Sequence, residues 1–155
     1  MRHDPEEVIV VGELPTITSR PLIYVHKIPI SKTRKFWDGI KEGRLFATKC
    51  RVCGKIYYPP QADCSQCLSS DMEWVEVPGE GVIETFAASY LKPQGFEDYP
   101  EPYIIAIASV EELGIRVMGL IRGVRPEDVH VGMRVRIRPC IGSDGYHVIF
   151  LEPTE

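Results

Sequence analysis

The chain has 155 residues, 44% of them apolar and 26% charged, the balance of an ordinary globular protein long enough to build a core. A net charge of −4 and a pI near 5.6 supply no global field that would draw in nucleic acid or an anionic membrane surface. No apolar run approaches bilayer length, and the first, Val8–Val11, is shorter than the apolar core of a signal peptide. No membrane association and a reducing cytoplasm are therefore expected, which also suits the cysteine usage described below.

Residues 1–43 read as an arm followed by a helix. Pro5, Pro15, Pro21 and Pro29 prevent a long helix at the start, while Val8–Val11 and Leu22–Val25 suit short extended pieces. Such an arm buries no core of its own and must lie on the rest of the protein or on a partner. Ser31 is placed to cap a helix running to about Glu42, with Gly43 suited to the position just past its end. Thr33, Phe36, Trp37 and Ile40 fall on one face of that helix. Phe36 and Trp37 carry two readings: the core side of an amphipathic helix, or an aromatic face for an apolar ligand or partner. Gly39 costs ~1 kcal/mol relative to Ala in a helix interior, which implies a close approach there.

Residues 44–78 are organised by two C-x-x-C pairs, Cys50/Cys53 and Cys64/Cys67, with residues 54–63 between them. Two residues inside each pair let both thiolates turn onto one ion, and a divalent metal keeps them deprotonated. Disulfides or free thiols are the alternatives, but paired knuckles at this spacing are a strong metal signal. Four protein ligands fill a tetrahedral site, so Zn²⁺ here is structural rather than catalytic. Iron in the same cage would give a redox centre. Strands over Arg44–Lys49, Lys55–Tyr58 and Met72–Val77 complete a rubredoxin-like zinc ribbon whose stability comes largely from the metal.

Pro78-Gly79 marks a boundary, and residues 79–155 carry five strand-like runs: Gly81–Leu91, Tyr103–Val110, Ile115–Ile121, Met133–Ile141 and Tyr146–Leu151. One helical turn, Arg125–Val129, follows the third. Five strands with that insertion match an OB-fold barrel, so the fold class is mainly β. Arg134, Arg136 and Arg138 alternate with Val135 and Ile137 and share one strand face. That stripe is either solvated or a grip for phosphates of a nucleotide cofactor or nucleic acid. The loop Lys92–Pro102 bears Glu97, Asp98 and Glu101 beside Phe96 and Tyr99, and its carboxylates would repel a nucleic-acid backbone. His3, His26, His130 and His147 are scattered, and Cys140 reads as packing, so no catalytic set is visible.

The order of parts is similar to a known family. Lys35-Phe36-Trp37-Asp38-Gly39-Ile40-Lys41-Glu42-Gly43 precedes the ribbon, and Tyr57-Tyr58-Pro59-Pro60 lies between the knuckles. Trp74 with Gly79-Glu80-Gly81 leads into the barrel, which holds Gly119-Leu120-Ile121 and Gly132-Met133-Arg134-Val135. Together these resemble, over about residues 31–152, the OB-fold, rubredoxin-like zinc-ribbon proteins associated with acyl-CoA enzymes and long catalogued as a domain of unknown function. The resemblance implies a non-catalytic acyl-CoA-binding or scaffold subunit that works beside thiolase-like enzymes. It further implies a bridge between acetoacetyl-CoA thiolase and hydroxymethylglutaryl-CoA synthase, hence a place in lipid metabolism or the mevalonate pathway. Cys50, Cys53, Cys64 and Cys67 match the family's metal ligands. The candidates for ligand or partner contact are Phe36, Trp37, Arg134, Arg136 and Arg138. A nucleic-acid-binding OB-fold/zinc-ribbon protein is the alternative function, and a small iron redox protein a third.

Overall fold

The computed structural model describes residues 9–11, 14–17, 19–20, 25–93 and 95–154. In the arm, β1 (Ile9–Val11) pairs antiparallel with β2 (Leu14–Thr16) in a two-stranded sheet of their own. β1 falls in the run expected to be extended, whereas β2 contains Pro15 and was not foreseen. Pro15 sits opposite Val10, and in a ribbon of two edge strands its missing N–H need not break a ladder. Of the second expected extended piece, Leu22 to Tyr24 lie outside the described residues, and Val25 is exposed.

The helix α1 (Arg34–Lys41) begins later than the expected cap at Ser31. Residues 31–33 form a turn, and Thr33 occupies the N-cap position without capping the backbone. Its hydroxyl instead accepts a hydrogen bond from the Trp37 indole N–H at 3.2 Å. The far end follows expectation. Gly43 lies at φ +74°, Gly43 N–H donates to the Ile40 carbonyl at 3.2 Å, and Arg44 N–H to the Gly39 carbonyl at 2.8 Å. These paired bonds form the Schellman closure, which requires a left-handed residue where Gly43 stands.

β3 (Phe46–Cys50) is the centre of a three-stranded antiparallel sheet, flanked by β4 (Ile56–Tyr57) and β5 (Met72–Glu76). Its one buried polar side chain, Thr48, is satisfied locally by Gln61: the hydroxyl donates to the Gln61 carbonyl at 3.0 Å and accepts the Gln61 N–H at 2.9 Å. Gly39 explains how the helix meets this sheet. A Cβ there would lie 2.6 Å from Cδ2 of Phe46, so α1 and the start of β3 touch at a distance that admits no side chain.

The remaining strands are β6 (Glu80–Ser89), β7 (Tyr103–Val110), β8 (Ile115–Ile121), β9 (Arg134–Ile141) and β10 (His147–Pro153). They close a barrel in the order β10-β8-β7-β6-β9. A short parallel pairing of β10 with β8, Phe150 opposite Leu120, joins the edges. The turn after the third barrel strand is a 3₁₀ segment, Pro126–Asp128. This is the mainly β architecture of ribbon plus five-stranded OB-fold that the sequence predicts. The three parts share one core: Phe36 and Ile40 of α1 pack with Leu45 and Val77 of the ribbon region and with inward barrel residues such as Val135 and Leu151. The helix thus rests on β3, β9 and β10 at once.

Candidate functional site

Both knuckles are built by the same backbone turn. The N–H of the first cysteine donates to the carbonyl five residues on, Cys50 to Lys55 at 2.9 Å and Cys64 to Ser69 at 2.8 Å. The residue four places on donates back, Gly54 to the Cys50 carbonyl and Leu68 to the Cys64 carbonyl, each at 2.9 Å. That residue is left-handed in both, with φ +77° at Gly54 and +60° at Leu68. Gly54 adopts this without steric cost, whereas Leu68 does not.

The two turns bring the four sulfurs within 4.8 Å of one another. Cys50 Sγ is 3.5 Å from Cys67 Sγ, and Cys53 Sγ is 3.5 Å from Cys64 Sγ. A tetrahedron with metal–sulfur bonds of about 2.3 Å has edges of about 3.8 Å, so the set fits one thiophilic ion. All four cysteines are free, and 3.5 Å is far from a covalent S–S bond. Cys50 and Cys64 are buried while Cys53 and Cys67 are exposed. Among the described residues this is the grouping of three or more metal-type side chains.

Tyr57, at the end of β4, lies against this cluster, with its hydroxyl 3.1 Å from Cys64 Sγ. The contact is the largest of the influences that, together with the Cys67 and Gln66 backbone N–H groups and against desolvation, bring the Cys64 thiol down to about 6. At Cys67 the Ser69 backbone N–H acts downward, but the hydrogen bond to Cys50, desolvation and the other sulfurs together push the thiol up to about 12. Four crowded thiols resist ionising together without a cation among them.

The other predicted residues lie elsewhere. Phe36 is 8% exposed, its ring edge-on to Trp37 at 5.2 Å and to Tyr58 at 6.2 Å. It is part of the shared core. Trp37 is half-buried and meets His147 of β10 edge-on at 5.2 Å. Arg134, Arg136 and Arg138 are all exposed on one face of β9, in the alternation read from sequence. Arg138 pairs with Glu152 at 3.4 Å, and Arg122 reaches the same carboxylate at 2.6 Å. Arg136 and Arg138 line a shallow groove of about 530 Å³, whose walls also carry Glu80, Glu111 and Glu112.

In the loop between β6 and β7, Phe96 stacks at 4.9 Å from Tyr99 and 5.2 Å from Tyr103. The Tyr99 hydroxyl donates to Asp144 at 3.3 Å, and the Ser143 hydroxyl donates to Asp98 at 3.0 Å. The two loops at this end of the barrel are thereby tied together. Desolvation first, then Asp144, raises Tyr99 above the ordinary phenol range. Its ring is engaged by Phe96 and the barrel, and exposed Glu97 and Asp98 surround it with negative charge.

One surface was not foreseen. The register sets Ala87, Ile105 and Leu120 in one row across β6, β7 and β8, and Thr85, Ile107 and Met118 in the next. These side chains alternate with the buried Ile104, Ala106 and Ala108, so they point outward. Ile105 is 36% exposed and Met118 62% exposed. The available signal was the run Tyr103–Val110, which is apolar at nearly every position. A strand buried on only one face would alternate with polar residues.

A family model described as ChsH2, rubredoxin-like zinc ribbon domain, matches residues 37–73, and one described as ChsH2, C-terminal OB-fold domain, matches 74–138. Similar chains include a DUF35 domain-containing scaffold protein of Methanocaldococcus jannaschii, 37% identical over 64% of this chain and 70% of that one. The 3-oxo-4,17-pregnadiene-20-carboxyl-CoA hydratase alpha subunit of Mycobacterium tuberculosis is 32% identical over 67% of this chain, but the match spans only 32% of the subunit. Among solved structures, one titled Ltp2-ChsH2(DUF35) aldolase superposes with a TM-score of 0.69 at 23% identity, covering 86% of this chain and 98% of that one. That likeness establishes the fold.

Proposed function

Because the chain belongs to the DUF35 family of zinc-ribbon and OB-fold proteins, we propose that it is an accessory, non-catalytic subunit that docks onto a thiolase-like acyl-CoA enzyme. The observation that carries this reading is the apolar outer face of β6–β8, with Ile105 and Met118 in solvent on a barrel whose core is already filled. Exposed aliphatic side chains in register across three strands contribute nothing to the fold of the isolated chain. They stabilise a complex once another apolar surface covers them. The names of the relatives support an accessory place beside CoA enzymes: one is called a scaffold protein, another is a carboxyl-CoA hydratase alpha subunit, and one solved structure is titled Ltp2-ChsH2(DUF35) aldolase.

In this reading Cys50, Cys53, Cys64 and Cys67 hold one structural Zn²⁺. Its chemistry is confined to bracing the two knuckles, since four thiolates leave no coordination position for substrate. Arg134, Arg136 and Arg138 face the phosphate end of a CoA thioester lying along β9, and Trp37, half-buried against His147 of β10, is a further candidate contact. Arg134 and Arg136 suit this because, among the described residues, neither forms an ion pair. Glu80, Glu111 and Glu112 restrict a phosphate to the arginine side of the groove. Hydroxymethylglutaryl-CoA synthase as a second partner, with transfer of the intermediate between two active sites, is the fullest form of the proposal.

The test is association. Co-expression with a thiolase-like protein of the same organism should give a complex that survives size exclusion. Ile105→Asp with Met118→Asp should weaken it by about 30-fold or more, the effect of losing hot-spot side chains. Both substitutions point outward, so an unchanged circular dichroism spectrum and metal content identify a loss of docking rather than of fold. A double variant that binds as tightly as the wild type removes this face from the proposal. Arg134→Glu with Arg136→Glu, assembled normally but with weaker CoA-thioester retention, would support the phosphate assignment.

A further inference from the structure

The Tyr57 hydroxyl has three neighbours: Cys64 Sγ at 3.1 Å, Ser65 N at 3.1 Å and Ser65 Oγ at 3.2 Å. Their roles are fixed by what each group can donate. The Ser65 backbone N–H can only donate, so it occupies one lone pair of the phenol oxygen. The Ser65 hydroxyl can fill the other lone pair, whereas a ligand thiolate can only accept. The arrangement that satisfies all three contacts therefore sends the single phenol proton to Cys64 Sγ.

No equivalent stands at the first knuckle. Cys50 and Cys53 have other cysteine sulfurs as their side-chain partners among the described residues. The cluster, symmetric in its backbone turns, is asymmetric in its surroundings.

We infer that Tyr57 is a positioning residue for the metal centre, its O–H donating to the Cys64 thiolate and holding that ligand in its bonding orientation. The inference rests on the metal reading above. A hydrogen bond into a bound thiolate withdraws electron density from sulfur, orients the side chain and limits its exchange with solvent. Removing such a partner typically lowers metal affinity by 10- to 100-fold. β4 is only two residues long, so the same bond also ties its end to the second knuckle, 64–67.

The test uses the whole chain loaded with Co²⁺, whose sulfur-to-metal charge-transfer absorption reports the electron density on the thiolates, together with Zn²⁺ competition against a chelator. Tyr57→Phe keeps the ring and deletes only the hydroxyl. We expect about tenfold or greater loss of Zn²⁺ affinity and a charge-transfer band moved to lower energy, with the fold unchanged by circular dichroism. Ser65→Ala, which leaves the Tyr57–Cys64 contact in place, should shift neither. Replacing tyrosine at this position with a fluorinated tyrosine, a stronger donor, should move the band to higher energy, and this holds even if Tyr57→Phe folds poorly. A Tyr57→Phe protein with wild-type band energy and affinity overturns the inference. A wild-type chain that takes up neither Co²⁺ nor Zn²⁺ overturns the metal reading on which it depends.

Discussion

Leu68 offers a quantitative test of the knuckle geometry. It occupies the position that Gly54 holds in the first knuckle, at φ +60°, with its side chain 85% exposed. A left-handed non-glycine residue costs roughly 1–2 kcal/mol. Replacing it by glycine removes that cost but adds back roughly 0.5–1 kcal/mol of chain entropy in the unfolded state. Little buried apolar area is lost, because the side chain is in solvent. Leu68→Gly should therefore stabilise the protein by about 0.7 kcal/mol, and by no more than roughly 1.5 kcal/mol. Leu68→Ala, which keeps a Cβ and hence the strain, should be close to neutral. Urea unfolding at fixed free zinc concentration measures both, since metal binding contributes directly to apparent stability. If Leu68→Gly destabilises the isolated chain, the side chain makes a packing contact and the strain argument fails. If it stabilises the isolated chain but weakens a complex with the partner, the exposed leucine is an interface residue.

Two further predictions follow from the core and from charge. Phe36→Ala should cost about 3–5 kcal/mol by thermal or chemical unfolding, as for a fully packed aromatic, while Trp37→Ala, half-buried, should cost clearly less; equal losses would refute the burial argument. The Arg44 guanidinium, 2.6 Å from Glu76, holds that carboxyl below its ordinary value of 4.5, first by hydrogen bonding and then by charge. Because the folded pKa is the lower one, the stabilisation is present above the ordinary carboxylate range and is lost as pH falls through the lowered value. Wild type should thus exceed Glu76→Gln in stability at neutral pH, and the two should converge in acid. The gap should also narrow at high salt, as both groups are about half exposed. A constant gap across pH would contradict this assignment.

What could be read from the sequence was what local chemistry dictates. The C-x-x-C pairs gave the ribbon, and the alternation of Arg134 to Arg138 with apolar residues gave both the strand and its facing. Gly43 marked the helix end because the Schellman turn needs a left-handed residue there. The helix start was misplaced because Thr33, the N-cap, spends its hydroxyl on the Trp37 indole, a use that no capping pattern announces. β2 has no strand signature in the sequence, because it carries Pro15, and a strand limited to a two-stranded ribbon escapes the rule that excludes proline from sheets. The left-handed Leu68 is visible only when the second knuckle is laid over the first. The outer apolar face needed the register of three strands, and the Tyr57 contact needed the return of β4 over the knuckle. Neither is a property of one segment.

The measurement that bears most directly on the central claim is CoA-thioester turnover, with the isolated chain, the thiolase-like partner and their assembly assayed side by side. The accessory role, with a four-cysteine site that leaves a bound ion no open position, predicts no thioester cleavage or condensation by the isolated chain. The proposed bridging role further predicts that the assembly passes its product to the next enzyme faster than the partner alone. Turnover by the isolated chain, lost on substituting a single side chain, would contradict the accessory role.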